Sequence, residues 1–370
     1  MDARHIAGAA LGLALTAACV GLVGGASREP QRHLLADDAG AIQEIVIHYV
    51  PSAADLSAPV YRELLAALPD DVVAWVVVPD MAAFDDLARR LGDVRPTLVP
   101  VPVGHAMTTW SRDRWLALAP DDPSDPVTLL LPSAEDGAEA WPARAGDAQT
   151  GRDLAAHPFT RAVSERSALY FDGGDFVADA ETAFVTPRVL RRNMSRVVAD
   201  RAHLQHALEV TLGRRVVVLA DAPEHHAGMF MMPIGGRRML VGDPSLAAAL
   251  VSDPEALIPA GGGADLSAAT QARFDAVADA VTAAGYTVTR IPLVPGRDGR
   301  TWWTWLNGLL ETRAGEPIVY MPTFDAPPAL RAAAEAVWRD AGFTVRGVDA
   351  TTAYTHFGSL RCLVNVLRRG

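Results

Sequence analysis

Apolar residues recur along the chain in two alternating patterns. Short β-branched runs read as strands: Ile45–Val50, Val72–Val78, Arg215–Leu219, Thr287–Ile291 and Pro317–Met321. Between them, apolar positions return at helical spacing. They predict amphipathic helices over Pro59–Leu68, Met81–Leu91, Ser195–Leu212, Thr270–Ala284 and Ala326–Ala341. Pro59 suits the first position of its helix, where no backbone N–H is needed. Alternation of this kind predicts an α/β architecture.

A coarser repeat lies over this alternation. One unit opens at Gly173-Gly174-Asp175-Phe176, a second at His226-Ala227-Gly228-Met229, and a third at Trp305-Leu306-Asn307-Gly308. Each continues as hairpin, Pro, helix, strand. Self-similarity of this kind predicts a radial or stacked architecture. The last apolar stretch, Leu363–Leu367, opens a unit but has no helix of its own. It therefore completes a unit with the N-terminal segment from Ile45 to Val103, closing one ring-like domain over residues 31–370. Two polar segments, 134–158 and 252–267, read as insertions, each either a lid or a disordered loop.

Residues 1–30 have a different character. Ile6–Ala26 is an uncharged run rich in Ala and Gly, behind a short start containing Arg4. The layout predicts a secretory signal peptide or an N-terminal membrane anchor. Thr16-Ala17-Ala18-Cys19 adds the option of lipid attachment. Either way the folded part is expected outside the cytoplasm, with possible membrane attachment only through this segment. Cys362 is then its single thiol.

Composition narrows the function classes. The net charge is −11, which argues against nucleic acid as a partner. All 33 basic residues are Arg, so Schiff-base catalysis and a P-loop Lys are excluded. Two Cys are too few for a disulfide framework or a four-Cys metal site. The His225-His226 pair, with Asp221 and Glu224 nearby and His203 and His206 on a helix, lacks the spacing of a zinc motif. No metal or other cofactor is expected.

What remains is a set of polar residues at loop-to-strand junctions. Asp113 sits in Trp110-Ser111-Arg112-Asp113, Asp172 and Asp175 in Phe171-Asp172-Gly173-Gly174-Asp175, His226 in a Gly turn, and Cys362 before the last strand. Singly, each has an ordinary structural explanation: a salt bridge, a turn, a solvated loop or a small buried residue. In a ring, equivalent junctions converge near the axis. A Cys nucleophile needs a proton-managing partner. Nearby carboxylates oppose a thiolate unless they hold a cationic substrate, and a guanidinium matches them with bidentate hydrogen bonds. This inventory fits attack by sulfur on a guanidine carbon.

These segments, with Met321-Pro322-Thr323-Phe324-Asp325 and Gly358-Ser359-Leu360-Arg361-Cys362, resemble ordered motifs of the guanidino-modifying (pentein) superfamily. The likeness is to the agmatine deiminase and bacterial peptidylarginine deiminase family, from about Ile45 to Leu367. The resemblance implies a five-fold pseudosymmetric α/β propeller and a hydrolase of a guanidino C–N bond. It implies Cys362 as nucleophile, His226 as acid and base, and Asp172 as the residue orienting His226. Asp113 would clasp the guanidinium, with Trp110 and Asn307 lining the pocket. Two departures stand out. Gly228 occupies the place of a second guanidinium-binding Asp, and Arg361 that of the usual His before the Cys. Asp175 or Glu224 could replace the missing carboxylate. Otherwise the protein is a catalytically silent ring that binds an arginine-like small molecule or peptide. Amidino transfer is a further possibility.

Overall fold

Five small sheets hold all the named strands among the described residues, and each is built on one plan. The computed structural model describes residues 31–133 and 142–370, and Arg32–Gly370 form one compact unit. In every sheet an antiparallel pair is followed by a parallel third strand. The pairs are Leu116–Pro120 with Val127–Leu131, Phe176–Ala178 with Thr182–Val185, Met231–Pro233 with Arg238–Asp243, and Leu309–Arg313 with Glu316–Thr323. The fifth joins the two ends of the unit: Val364–Arg369 pairs with Ile42–His48, in the register Val364 to Ile47 and Asn365 to Val46. The parallel partners are Ala162–Arg166, Arg215–Val218, Thr287–Pro295, Thr344–Asp349 and Val73–Val78. A parallel return needs a crossover, and helices supply it in each repeat. The fold is a five-fold pseudosymmetric α/β propeller.

Strands that take part in such crossovers are covered on both faces, which is why they read as continuous apolar runs rather than strict alternation. Ile45, Val46 and Ile47 are all fully buried, as are Val76, Val77 and Val78.

Three local expectations change. The first helix runs from Ala54 to Ala67 and carries Pro59 inside it, not at its start. Ala54, Leu56, Ser57 and Ala58 are buried there, so packing of the preceding turn extends the helix through a residue that cannot donate its own bond. The predicted Ser195–Leu212 helix begins only at Arg201, where the Asp200 carboxylate accepts the His203 N–H at 2.8 Å. Ser195 has φ +62°, outside the helical region, and a separate helix spans Pro187–Asn193. Of the polar segment 134–158, Pro142–Ala156 is an α-helix, the crossover of its repeat, and 134–141 lie outside the described residues. Segment 252–267 contains short 3-10 turns at Pro254–Ala256 and Pro259–Gly261. The apolar run Ile6–Ala26 also lies outside the described residues, among which no helix is long and apolar enough to cross a membrane.

Candidate active site

The hairpin that opens each sheet begins at the same end of its repeat, and the turns before these hairpins carry the polar residues. Asp113 precedes Leu116–Pro120, Asp172 precedes Phe176–Ala178, and His226 precedes Met231–Pro233. Asn307 precedes Leu309–Arg313, and Cys362 lies in the single turn Leu360–Leu363 before Val364–Arg369. Backbone bonds stitch these turns together: Gly173 N–H to Asp113 C=O at 2.8 Å, Arg361 N–H to Asn307 C=O at 3.0 Å, and Arg112 N–H to Cys362 C=O at 3.3 Å. A cavity of about 520 Å³ opens among them, and Trp110, Asp113, Asp172, His226 and Cys362 all line it.

The paired glycines are required by this convergence. A Cβ on Gly173 would stand 2.2 Å from the Arg112 carbonyl oxygen, and one on Gly174 would stand 2.4 Å from His226 Nδ1. Gly173 thus admits the neighbouring turn, and Gly174 makes room for the imidazole.

The two adjacent histidines have opposite environments. His225 Nδ1 accepts the His226 backbone N–H at 2.8 Å, so its proton sits on Nε2 and is donated to the Arg300 carbonyl at 3.1 Å. Burial, with the charge of His226, pushes His225 down to about 3, so it stays neutral. Burial alone would lower His226 too, but the neighbouring Asp172 carboxylate and Cys362 sulfur, with the charges of Asp113 and Asp175, lift it to about 10. Its Nε2 lies 3.8 Å from Asp172 Oδ2. An imidazole biased toward its protonated form therefore stands beside Cys362.

Asp172 is surrounded by cations. Arg188 donates to Oδ2 at 3.1 Å, Arg144 to Oδ1 at 3.4 Å, and Arg192 and Arg114 stand at 3.4 and 3.8 Å. Burial opposes its charge, but His226, Arg144 and Arg188 hold it well below the usual carboxylate range. Asp175 lies beneath it, fully buried, accepting the Asp172 N–H at 3.0 Å and the Thr186 hydroxyl at 2.9 Å. Burial raises its carboxyl against the pull of Arg188 and His226. Expected as a substrate contact, Asp175 is not among the residues lining the cavity; it holds the Asp172 turn instead. Asn307 is likewise out of the cavity wall: it is buried behind Cys362, whose Sγ donates to its Oδ1 at 3.5 Å. Glu224 reaches the rim, where it pairs with Arg191 at 2.7 Å.

No carboxylate takes the place of the missing Asp. A Cβ on Gly228 would stand 2.9 Å from Arg361 Nη1 and 3.1 Å from Asn307 Nδ2, so a guanidinium and an amide fill that space. Arg361 is held from its other side by Asp37, with Nη2 to Oδ1 at 2.6 Å, and by the Phe176 carbonyl at 3.1 Å. Its Nη1 has no hydrogen-bond partner among the described residues. The two departures from the family pattern are thus one feature: an Arg side chain turned into the gap left by Gly228.

Among the lining residues absent from the sequence expectations, Arg144, on the helix Pro142–Ala156, pairs with both Asp113 and Asp172. Its guanidinium lies between Asp113 Oδ2 at 3.1 Å, Asp172 Oδ1 at 3.4 Å and Asp147 Oδ2 at 3.5 Å. It lines the cavity beside Cys362. No motif marks it, because it sits in a polar stretch whose composition resembles a loop. Among the described residues no three His, Cys, Asp or Glu side chains are grouped to hold a metal ion.

No family model and no curated protein matches this sequence. Solved structures do. The C. jejuni agmatine deiminase superposes with a TM-score of 0.66 at 12% identity, covering 91% of this chain and 96% of that one. The agmatine deiminase of Enterococcus faecalis gives 0.66 at 12% identity, covering 90% and 95%. A candidate arginine deiminase from Porphyromonas gingivalis gives 0.65 at 18% identity, covering 90% and 98%. The chain resembles these proteins along nearly its whole described length, and the fold it has is the pentein fold of the agmatine deiminases.

Proposed function

We propose that the protein is a hydrolase of a guanidino C–N bond, acting through a covalent intermediate on Cys362. One observation carries this reading: the cavity already holds a guanidinium. Arg144 rests on Asp113 and Asp172, the two carboxylates beside Cys362 and His226, so the geometry of the site is complementary to the group it would process.

In the proposed reaction the substrate guanidinium replaces that of Arg144 on Asp113. Cys362 first gives its thiol proton to solvent; the resulting thiolate adds to the central carbon and a C–S bond forms. His226, held protonated, gives its proton to the departing nitrogen, and ammonia leaves as the C–N bond breaks. The neutral His226 then takes a proton from water, whose oxygen attacks the same carbon. Collapse of that adduct breaks the C–S bond, returns the thiolate and releases a ureido product. Asp172 is the positioning residue for His226. The proposal places the chain outside the cytoplasm, on the strength of the apolar run Ile6–Ala26.

The second reading, a silent ring that binds a guanidino ligand, is favoured by one feature. Arg361 and Asn307 fill the space at Gly228, so a bound cation meets fewer carboxylates than the family pattern supplies. The deciding experiment is product analysis with agmatine, arginine and an arginine ester. Ureido product that vanishes in Cys362→Ala supports hydrolysis; binding without product at high enzyme concentration supports the silent ring.

A further inference from the structure

A second cavity of about 370 Å³ adjoins the first, and the two share Trp110, His356 and Phe357 as a common wall. Their linings differ in kind. The catalytic cavity is faced by Asp113, Asp172, Glu224, Arg144, Arg188 and Arg300. The second is lined by Val50, Ala53, Leu56, Met107, Trp110 and Phe357, with Ser52, His356 and two threonines as its polar members and no Asp, Glu or Arg. Its threonines have already placed their hydroxyls. Thr108 Oγ1 donates to Asp147 at 2.7 Å, and Thr109 Oγ1 donates to the His48 carbonyl at 3.0 Å. What faces an occupant is therefore mostly hydrocarbon.

Phe357 supplies an independent observation. It is half exposed, with a φ of +70°, a conformation that a bulky residue adopts only under strain. Such conformations cost of order 1–3 kcal/mol and cluster where a ligand is clamped. The strain holds an aromatic ring at the boundary of the two cavities. On its catalytic side the Arg300 guanidinium carbon lies 5.7 Å from the ring centroid.

We infer that the second cavity is a subsite for an apolar substituent carried by the guanidino substrate. The ligand class is then an arginine derivative linked to an apolar or aromatic group, with its guanidinium at Asp113 and its substituent between Leu56, Met107, Trp110 and Phe357. A bare guanidino amine or amino acid leaves this cavity unused. The inference rests on the hydrolase reading, but its test separates the two.

The probes are Nα-benzoyl-arginine amide and Nα-acetyl-arginine amide, which share the guanidino group and differ in the ring. Turnover is measured with the full chain and binding with Cys362→Ala. The expected result is a benzoyl preference of about tenfold or more in both, the range that a well-filled apolar pocket gives. Ala53 lines the second cavity and not the first. Ala53→Phe should therefore bring the ratio close to one while the acetyl compound reacts as before. Phe357→Gly provides the second variant, since glycine accepts the positive φ without strain and folding is favoured; it too should reduce the ratio. Equal affinity for both probes in the unmodified site, or a preference that survives both variants, overturns the inference. Selective binding of the benzoyl compound with no product from either probe leaves the subsite standing and sinks the hydrolase reading. Product formed without preference does the reverse.

Discussion

Arg144 and the two histidines give the sharpest predictions at the scale of single residues. If the Arg144 guanidinium competes for Asp113, replacing it by Gln should lower the KM for a guanidino substrate and leave kcat near its starting value. An occupancy of about nine-tenths would correspond to a roughly tenfold effect, because apparent affinity scales with the fraction of open sites. Steady-state kinetics of Arg144→Gln check this, and a raised KM would instead make Arg144 part of the substrate contact. The histidines predict opposite pH limbs. Folding raises His226 from 6.5 to about 10, so its contribution to stability is complete below about pH 6.5 and is lost as pH rises through about 10. Folding lowers His225 from 6.5 to about 3, so its contribution is present above about pH 6.5 and is lost as pH falls toward 3. Thermal midpoints against pH should show a flatter alkaline limb in His226→Gln and a flatter acid limb in His225→Gln. Unchanged limbs would contradict the assigned environments. That Asp172, His226 and Cys362 meet at one cavity was legible in the sequence, because each stands next to a Gly turn or a strand start. Arg144 was not, since its role depends on a helix that folds back over three distant carboxylates. Nor was the turn of Arg361 toward Gly228, since no spacing links positions 133 residues apart.

At the scale of elements, the opening turns matter more than the strands they lead into. Gly174→Ala puts a methyl group 2.4 Å from His226 Nδ1. The imidazole must move, and crowding of this kind costs roughly 1–3 kcal/mol. The variant should fold with a reduced midpoint and lose nearly all activity; full activity would show that His226 is not held by this contact. The strands and most helices could be read from periodicity, because crossover strands are buried on both faces and helices on one. The misreadings have local causes. Pro59 marks a helix start by propensity, yet burial of Ala54, Leu56 and Ala58 carries the helix through it. Ser195 sits in an apolar pattern that continues into a helix, but the left-handed turn there and the Asp200 cap divide it.

At the scale of the whole folded unit, closure depends on the last strand. Val364–Arg369 pairs with Ile42–His48, and Asn365 reaches the neighbouring sheet, accepting from Arg112 at 2.7 Å and donating to the Trp115 carbonyl at 3.2 Å. Removing residues 364–370 should abolish the cooperative thermal transition, as read by calorimetry or circular dichroism. A truncated chain that melts as sharply as the parent would mean that the ring does not fold as one body. The closure itself was legible, because the final apolar run Leu363–Leu367 opens a unit without a helix of its own. The function of the unit is tested most directly by the stoichiometry of products. The full chain is incubated with agmatine, arginine and Nα-benzoyl-arginine amide, and ammonia and ureido compound are quantified beside Cys362→Ala. Equal amounts of both are expected from at least one guanidine and neither from the variant; guanidines that bind the cavity yet emerge unchanged, or product that persists without the thiol, would contradict hydrolysis through Cys362.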